Sequence, residues 1–413
     1  MYAPSRRSLL ATGGAVFSAS LAGCLESEVA SLETTAPEPG SWPLTHYDAG
    51  NSSYNEHADP PEGEPDVRWR IETDQAFTGV LVADGTVVGY GDGGLHAVDL
   101  EDGDSRWNRD GEIGTAGIAD GTVYAAGVAD DEDDEESEFA AFELADGETV
   151  WTASSDPQRW FGSLLVAEEV VITAGAMAAP GYDTRTAARD RTDGEIVWTL
   201  ESGIVAGLSD SMLYTRAPGE FSRFDMADTT FPWSETDPEP VWQVDMRESQ
   251  ATHPPAITHR GLFAGRVTSG PLYGRAAAAR YELSSGQMWW STEPRGTRAS
   301  TPALVGGAGY VAQTDTGSDR GYITEIDVDD GGEQWHVEID GWVTKTLVAG
   351  DVVLAFGQTE RDGDGLLFAF DREGSDLWTL EFDSPPGWRG VAAVEETIIV
   401  ATEGGELLAL EAP

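Results

Sequence analysis

Tryptophan returns along this chain at Trp69, Trp107, Trp151, Trp198, Trp242, Trp290, Trp335 and Trp378, at intervals of 38 to 48 residues. A repeat of about 44 residues suits either a four-stranded propeller blade or a helical pair in a solenoid, and the hydrophobic period separates the two. The units alternate apolar and polar residues with period two. Gly79-Val80-Leu81-Val82, Thr86-Val87-Val88-Gly89-Tyr90 and Leu95-His96-Ala97-Val98-Asp99 are such runs, divided by Asp-Gly turns. That excludes a helical solenoid and predicts an all-β chain.

The tryptophan belongs to a longer pattern. Ala97-x-Asp99-x3-Gly103-x3-Trp107 recurs as Ala141-x-Glu143-x3-Gly147-x3-Trp151 and Ala188-x-Asp190-x3-Gly194-x3-Trp198. The Gly-x3-Trp step also selects Trp290 (from Gly286) over Trp289, and it precedes Trp335 (Gly331) and Trp378 (Gly374). The small residue leaves room on the third strand, the acid and glycine make a tight turn with positive φ, and the tryptophan buries about 150–250 Å² against the neighbouring blade. Three strands are expected near Gly390–Val394, Thr397–Thr402 and Glu406–Glu411, while Val67–Glu72 stands as a lone outer strand ahead of the first unit. Joined, they complete one sheet without leaving an open edge. The expectation is an eight-bladed β-propeller of four-stranded antiparallel blades, residues 66–413, closed 3+1 between N-terminal and C-terminal strands.

These repeats resemble the tryptophan-docking repeats of the pyrroloquinoline-quinone (PQQ) enzymes and of the BamB-type lipoproteins, over about Asp66 to Glu411. Two units depart from the pattern. Trp242 has no glycine four residues before it, and Phe231–Pro240 reads as an inserted loop; the seventh unit has a turn one residue shorter. Trp42-Pro43 and His46-Tyr47-Asp48-Ala49-Gly50-Asn51 resemble the lead-in found before the repeats in haloarchaeal members of the family, which implies packing of that stretch on the barrel.

Charge limits function further. Asp plus Glu number 74 against 24 Lys plus Arg, a formal net charge of −50, and Lys345 is the single lysine. Such a chain repels nucleic-acid phosphates instead of displacing their cations, so nucleic acid is set aside as a partner. With 40% hydrophobic residues and 14 Trp it has the means to bury a core. The acids therefore coat a folded surface, as in proteins adapted to high salt, where repulsion is screened within about 3 Å at 1 M. A haloarchaeal source is expected.

Residues 1–23 read as a twin-arginine lipoprotein signal. Arg6-Arg7 precede a small-apolar run, and Leu21-Ala22-Gly23-Cys24 resembles a lipobox that makes Cys24, the sole cysteine, the lipidated first residue of the mature chain. The apolar run is shorter than the roughly 20 residues of a membrane span. Residues 24–65 are expected to form a flexible acidic, Pro-rich tether. Twin-arginine export and anchoring in membrane lipid through Cys24, at the outer face of the cell membrane, follow.

No catalytic residue emerges. The six histidines (46, 57, 96, 253, 259 and 336) are scattered, and the acidic run 130–138 lacks the spaced ligands of a calcium loop. The resemblance to PQQ enzymes raises a quinoprotein with calcium as an alternative, but their adjacent-cysteine disulfide has no counterpart here and their calcium ligands match no motif. The segments joining each outer strand to the next inner strand carry seven basic residues: Arg109, Arg159, Arg247, Arg295, Arg298, Lys345 and Arg389. With Trp160, Trp342 and Trp388 they form a candidate binding face for a protein or peptide, because Arg and Trp dominate binding hot spots. Alternatively the same residues cap the channel and stack on one another. The sequence reading is thus a lipid-anchored, non-catalytic protein-binding or scaffolding propeller needing no cofactor. A PQQ-dependent oxidoreductase or electron-transfer partner, and a carbohydrate-binding surface module, are the alternatives.

Overall fold

The structure, a computed structural model, describes residues 32–127, 138–154, 158–177, 184–200, 203–217, 220–226, 239–245, 249–251, 253–268 and 274–413. Arg6, Arg7, Cys24, Arg247 and nearly all of the acidic run 130–138 lie outside them. Among the described residues every regular element is a strand.

The first repeat sets the plan. Phe77–Ala83, Thr86–Gly91, Gly94–Asp99 and Ser105–Arg109 form an antiparallel meander with Asp84 and Gly85 at positive φ in the first turn. The next repeats follow it, from Ile113–Ala119 through Trp342–Ala349. First strands are mostly apolar and buried, Val80, Leu81 and Val82 for instance, and pack beside the first strands of neighbouring units, so the sheets radiate from a shared channel as in a β-propeller. Pro386–Val394, Thr397–Thr402 and Glu406–Glu411 form the last meander. Asp66–Glu72 pairs antiparallel with Glu406–Glu411, and Gly79 pairs with Arg389.

Tryptophans lock each sheet to the next. The Trp107 ring lies against Gly147, its indole donating to Leu144 O at 2.8 Å; Trp151 meets Gly194 and Arg191 O, and Trp242 meets Gly286 and Leu283 O. The acceptor stands three residues before the glycine in each, and only two before Gly374, where Trp335 donates to Arg372 O across the shortened turn. Glycine at these turns is required twice over. Gly194 has φ +75°, and a Cβ there would stand 2.5 Å from Trp151 Cε3.

Part of the expected tether is instead packed, as the lead-in resemblance implied for residues 42–51, while residues 24–31 lie outside the described residues. Residues 42–59 form a belt that visits one unit after another at the far ends of the first strands. Trp42 exchanges backbone hydrogen bonds with Val82, and carbonyls of Pro43, Ala49, Gly50, Ser52 and Ser53 accept from Ile118, Leu208, Ile257, Leu304 and Val348 at 2.6–2.9 Å. Tyr54–Asn55 pairs in parallel with Val348–Ala349, Asn55 Nδ2 donates to Ala393 O, and Pro61 O accepts from Trp378. Trp42 is 1% exposed. A segment with this many backbone partners is part of the core, and its acidic, Pro-rich composition conceals that because the bonds are made by main-chain atoms.

Candidate functional site

The belt closes one end of the channel, and the candidate residues lie toward the starts of the first strands. Trp388 is the hub. The Arg389 guanidinium stacks on its ring at 4.5 Å, His253 lies 5.7 Å from it, and His46, carried in by the belt, meets it edge-on at 6.3 Å. Arg389 reaches across the channel, donating to Gly162 O at 2.8 Å and Gly114 O at 3.1 Å, the opening residues of two other units. Lys345, fourth residue of its strand, donates to Thr45 O of the belt at 2.8 Å and is 3% exposed. A second pair stands further out: exposed Arg298 covers Trp342 at 5.7 Å, and the Trp342 indole donates to Asp319 Oδ1 at 2.8 Å.

Cations gather in the channel of a protein whose net charge is −50. Burial and the neighbouring Arg389 hold the Lys345 amine down to about 7. Burial, with Arg216, Lys345 and Arg298 around it, lowers His253 to about 4. His46 is pushed well below its ordinary value by burial, then by Lys345, Arg389 and His253. Burial raises the Asp48 carboxyl on the belt, against hydrogen bonds from Ser52. Neither Lys345 nor Arg389 makes an ion pair with an acid among the described residues.

The structure therefore gathers Lys345, Trp388 and Arg389, and holds Arg298 with Trp342 nearby. Arg159 and Trp160 fall in the strand Gln158–Val166, but their side chains are outside the described residues, as is Arg247. Arg109 and Arg295 leave the channel. Arg109 donates to Gly147 O, and Arg295 pairs with Glu333 at 3.1 Å over the Tyr322 ring. Sequence reasoning missed His46, His253 and Thr45. They meet only through the ring of sheets, and the lead-in resemblance was the sole signal that could have led to His46.

The profile of the family described as "Outer membrane protein assembly factor BamB" matches residues 59–235. No curated protein matches the chain. Among solved structures, BamB from Moraxella catarrhalis is similar with a TM-score of 0.60 at 13% identity, over 84% of this chain and 100% of that one. A quinohemoprotein alcohol dehydrogenase from Pseudomonas putida HK5 gives 0.63 at 13%, over 91% and 80%. A computationally designed protein, Ika8, gives 0.63 at 11%, over 82% and 97%. At these identities the likeness is one of fold. Repeat, sheets and comparisons together give a β-propeller fold, of which residues 59–235 match the BamB-type repeat model.

Proposed function

We propose that this chain is an extracytoplasmic, lipid-anchored propeller of eight blades with 3+1 closure, acting as a non-catalytic module that holds a protein partner at the Arg- and Trp-bearing end of its channel. One observation carries the reading. Arg298 on Trp342 and Arg389 on Trp388 are already stacked, with Trp342 fixed by Asp319, so hot-spot residues are ordered before a partner arrives. Twin-arginine export through Arg6-Arg7 and lipidation of Cys24 would place this face outside the cell membrane. Cys24→Ala is then expected to move the protein from the membrane fraction to the medium. The match of residues 59–235 adds support, since that family is described as an outer membrane protein assembly factor.

A calcium-held quinone fits this site poorly. The side chains converging on Trp388 are cationic or neutral, and among the described residues no three His, Cys, Asp or Glu are gathered as metal ligands. The carbohydrate reading wanted open tryptophan faces in one groove, whereas Trp342 and Trp388 each have a guanidinium over the ring. The decisive experiment is site-specific photo-cross-linking on native membranes, from exposed Asp340 beside Trp342 and, as control, from Glu195 on an outer turn. A discrete protein adduct from 340, absent from 195 and lost in Trp342→Ala, supports the proposal. Adducts unaffected by Trp342→Ala, or stoichiometric quinone retained after incubation with PQQ and calcium, would overturn it.

A further inference from the structure

Buried cations are tolerated when paired, and the channel floor holds two that have no acid beside them. Between the belt and Trp388 lies a cavity of about 10 Å³, bordered by Thr45, His46, Asn51, Ser163, Trp388 and Arg389, with no carboxylate in its wall among the described residues. It has room for a single water-sized sphere. Two nitrogens on its border make no hydrogen bond among the described residues. The terminal nitrogens of Arg389 go to Gly114 and Gly162, which leaves Nε–H buried and unbonded. His46 Nδ1 lies 3.2 Å from Ser53 Oγ, a contact in which either group can donate, and His46 Nε2 is buried without a hydrogen bond among the described residues; in the tautomer in which Ser53 donates, Nε2 carries the proton of the neutral ring.

We propose that this cavity is a binding site for one small monovalent inorganic anion of halide size, held between Arg389 Nε–H and, in the tautomer set by a donating Ser53, His46 Nε2–H, and balancing the charge of Arg389. Donors alone would accept a water oxygen. Charge decides for the anion, because a water leaves Arg389 without a counter-charge in a site 5% exposed. The small cavity favours a monatomic anion over a phosphate or a quinone. The anion would tie the belt, through His46, to the last repeat, through Arg389. The site shares Arg389 and Trp388 with the face proposed for the partner, but it needs no partner to be filled, and the two tests below read the anion alone.

Two measurements test it. Crystals of the full chain grown in sodium bromide, with data collected above the bromine absorption edge, should show an anomalous peak between His46 and Arg389; a peakless site would overturn the proposal without any variant. In solution at fixed sodium concentration, replacing gluconate by chloride should raise Tm by about 2 °C for each tenfold rise in chloride above the dissociation constant. Arg389→Gln, or His46→Phe if the first does not fold, should remove that chloride-specific rise while leaving the gluconate baseline cooperative. Equal wild-type Tm in both salts, or a rise undiminished in a folded variant, refutes the site.

Discussion

Lysine is used once in this chain, and the structure buries it in the channel beside Arg389, His46 and His253. The titration of these groups gives a residue-scale prediction. His253 has a folded value of about 4 against an ordinary 6.5, so between those pH values the unfolded chain binds a proton that the folded chain refuses. Stability therefore climbs as pH rises through that window and levels off above it. Carboxylates dominate below about pH 5, so the clean interval is pH 5 to 7 at constant salt. There the denaturation midpoint of the wild type should rise more steeply than that of His253→Gln; equal slopes would rule out a buried neutral histidine. Lys345, Trp388 and Arg389 were legible as candidates, but the meeting of the two histidines was not. His46 and His253 stand more than 200 positions apart, and no local pattern connects them.

At the scale of the element, the Gly-x3-Trp step was readable because both of its demands are local: positive φ in a tight turn and a large ring on the adjoining strand. The structure adds that each glycine is the seat for the tryptophan of the preceding sheet, as Gly103 is for Trp69 and Gly331 for Trp290. The missing glycine of the fourth unit therefore concerns Trp198, which is buried at 4% exposure all the same, while Trp242 keeps its own seat on Gly286. Gly194→Ala should cost about 2–4 kcal/mol, the sum of a left-handed backbone and a methyl forced against Trp151. A guanidinium titration checks this. Gly121, also at positive φ but with open space around it, separates the terms: its alanine variant should lose only the backbone part, about 1 kcal/mol.

On the scale of the whole molecule, the belt changes what holds the propeller together. Strand Asp66–Glu72 paired with Glu406–Glu411 joins the chain's two ends, and the belt then ties the first strands to one another from inside the ring. Asn51 shows how closely it is fitted: at φ +60° its side-chain amide donates to both Ala206 O and Pro255 O, carbonyls of different repeats. Trp42→Ala should destabilise the whole domain by about 3–5 kcal/mol, as expected for emptying a buried tryptophan site. The unfolding transition should stay single, because the belt is shared among repeats. An unchanged midpoint, or a separate early transition confined to residues 32–65, would show that the belt is dispensable.

The sequence by itself determined the all-β class, the position of each docking tryptophan, the turns, and the lone strand Val67–Glu72 that pairs with the C-terminal strand. These follow from period-two alternation and from glycine and tryptophan chemistry acting within one repeat or between adjacent ones. Only the tertiary structure decided which arginines enter the channel, that residues 42–59 are a belt, and that Thr45, His46, His253, Lys345, Trp388 and Arg389 surround one floor. The reason is physical. The belt is held mainly by main-chain carbonyls, which every residue type carries, and the floor is assembled by a ring of sheets that sets residues from distant repeats side by side.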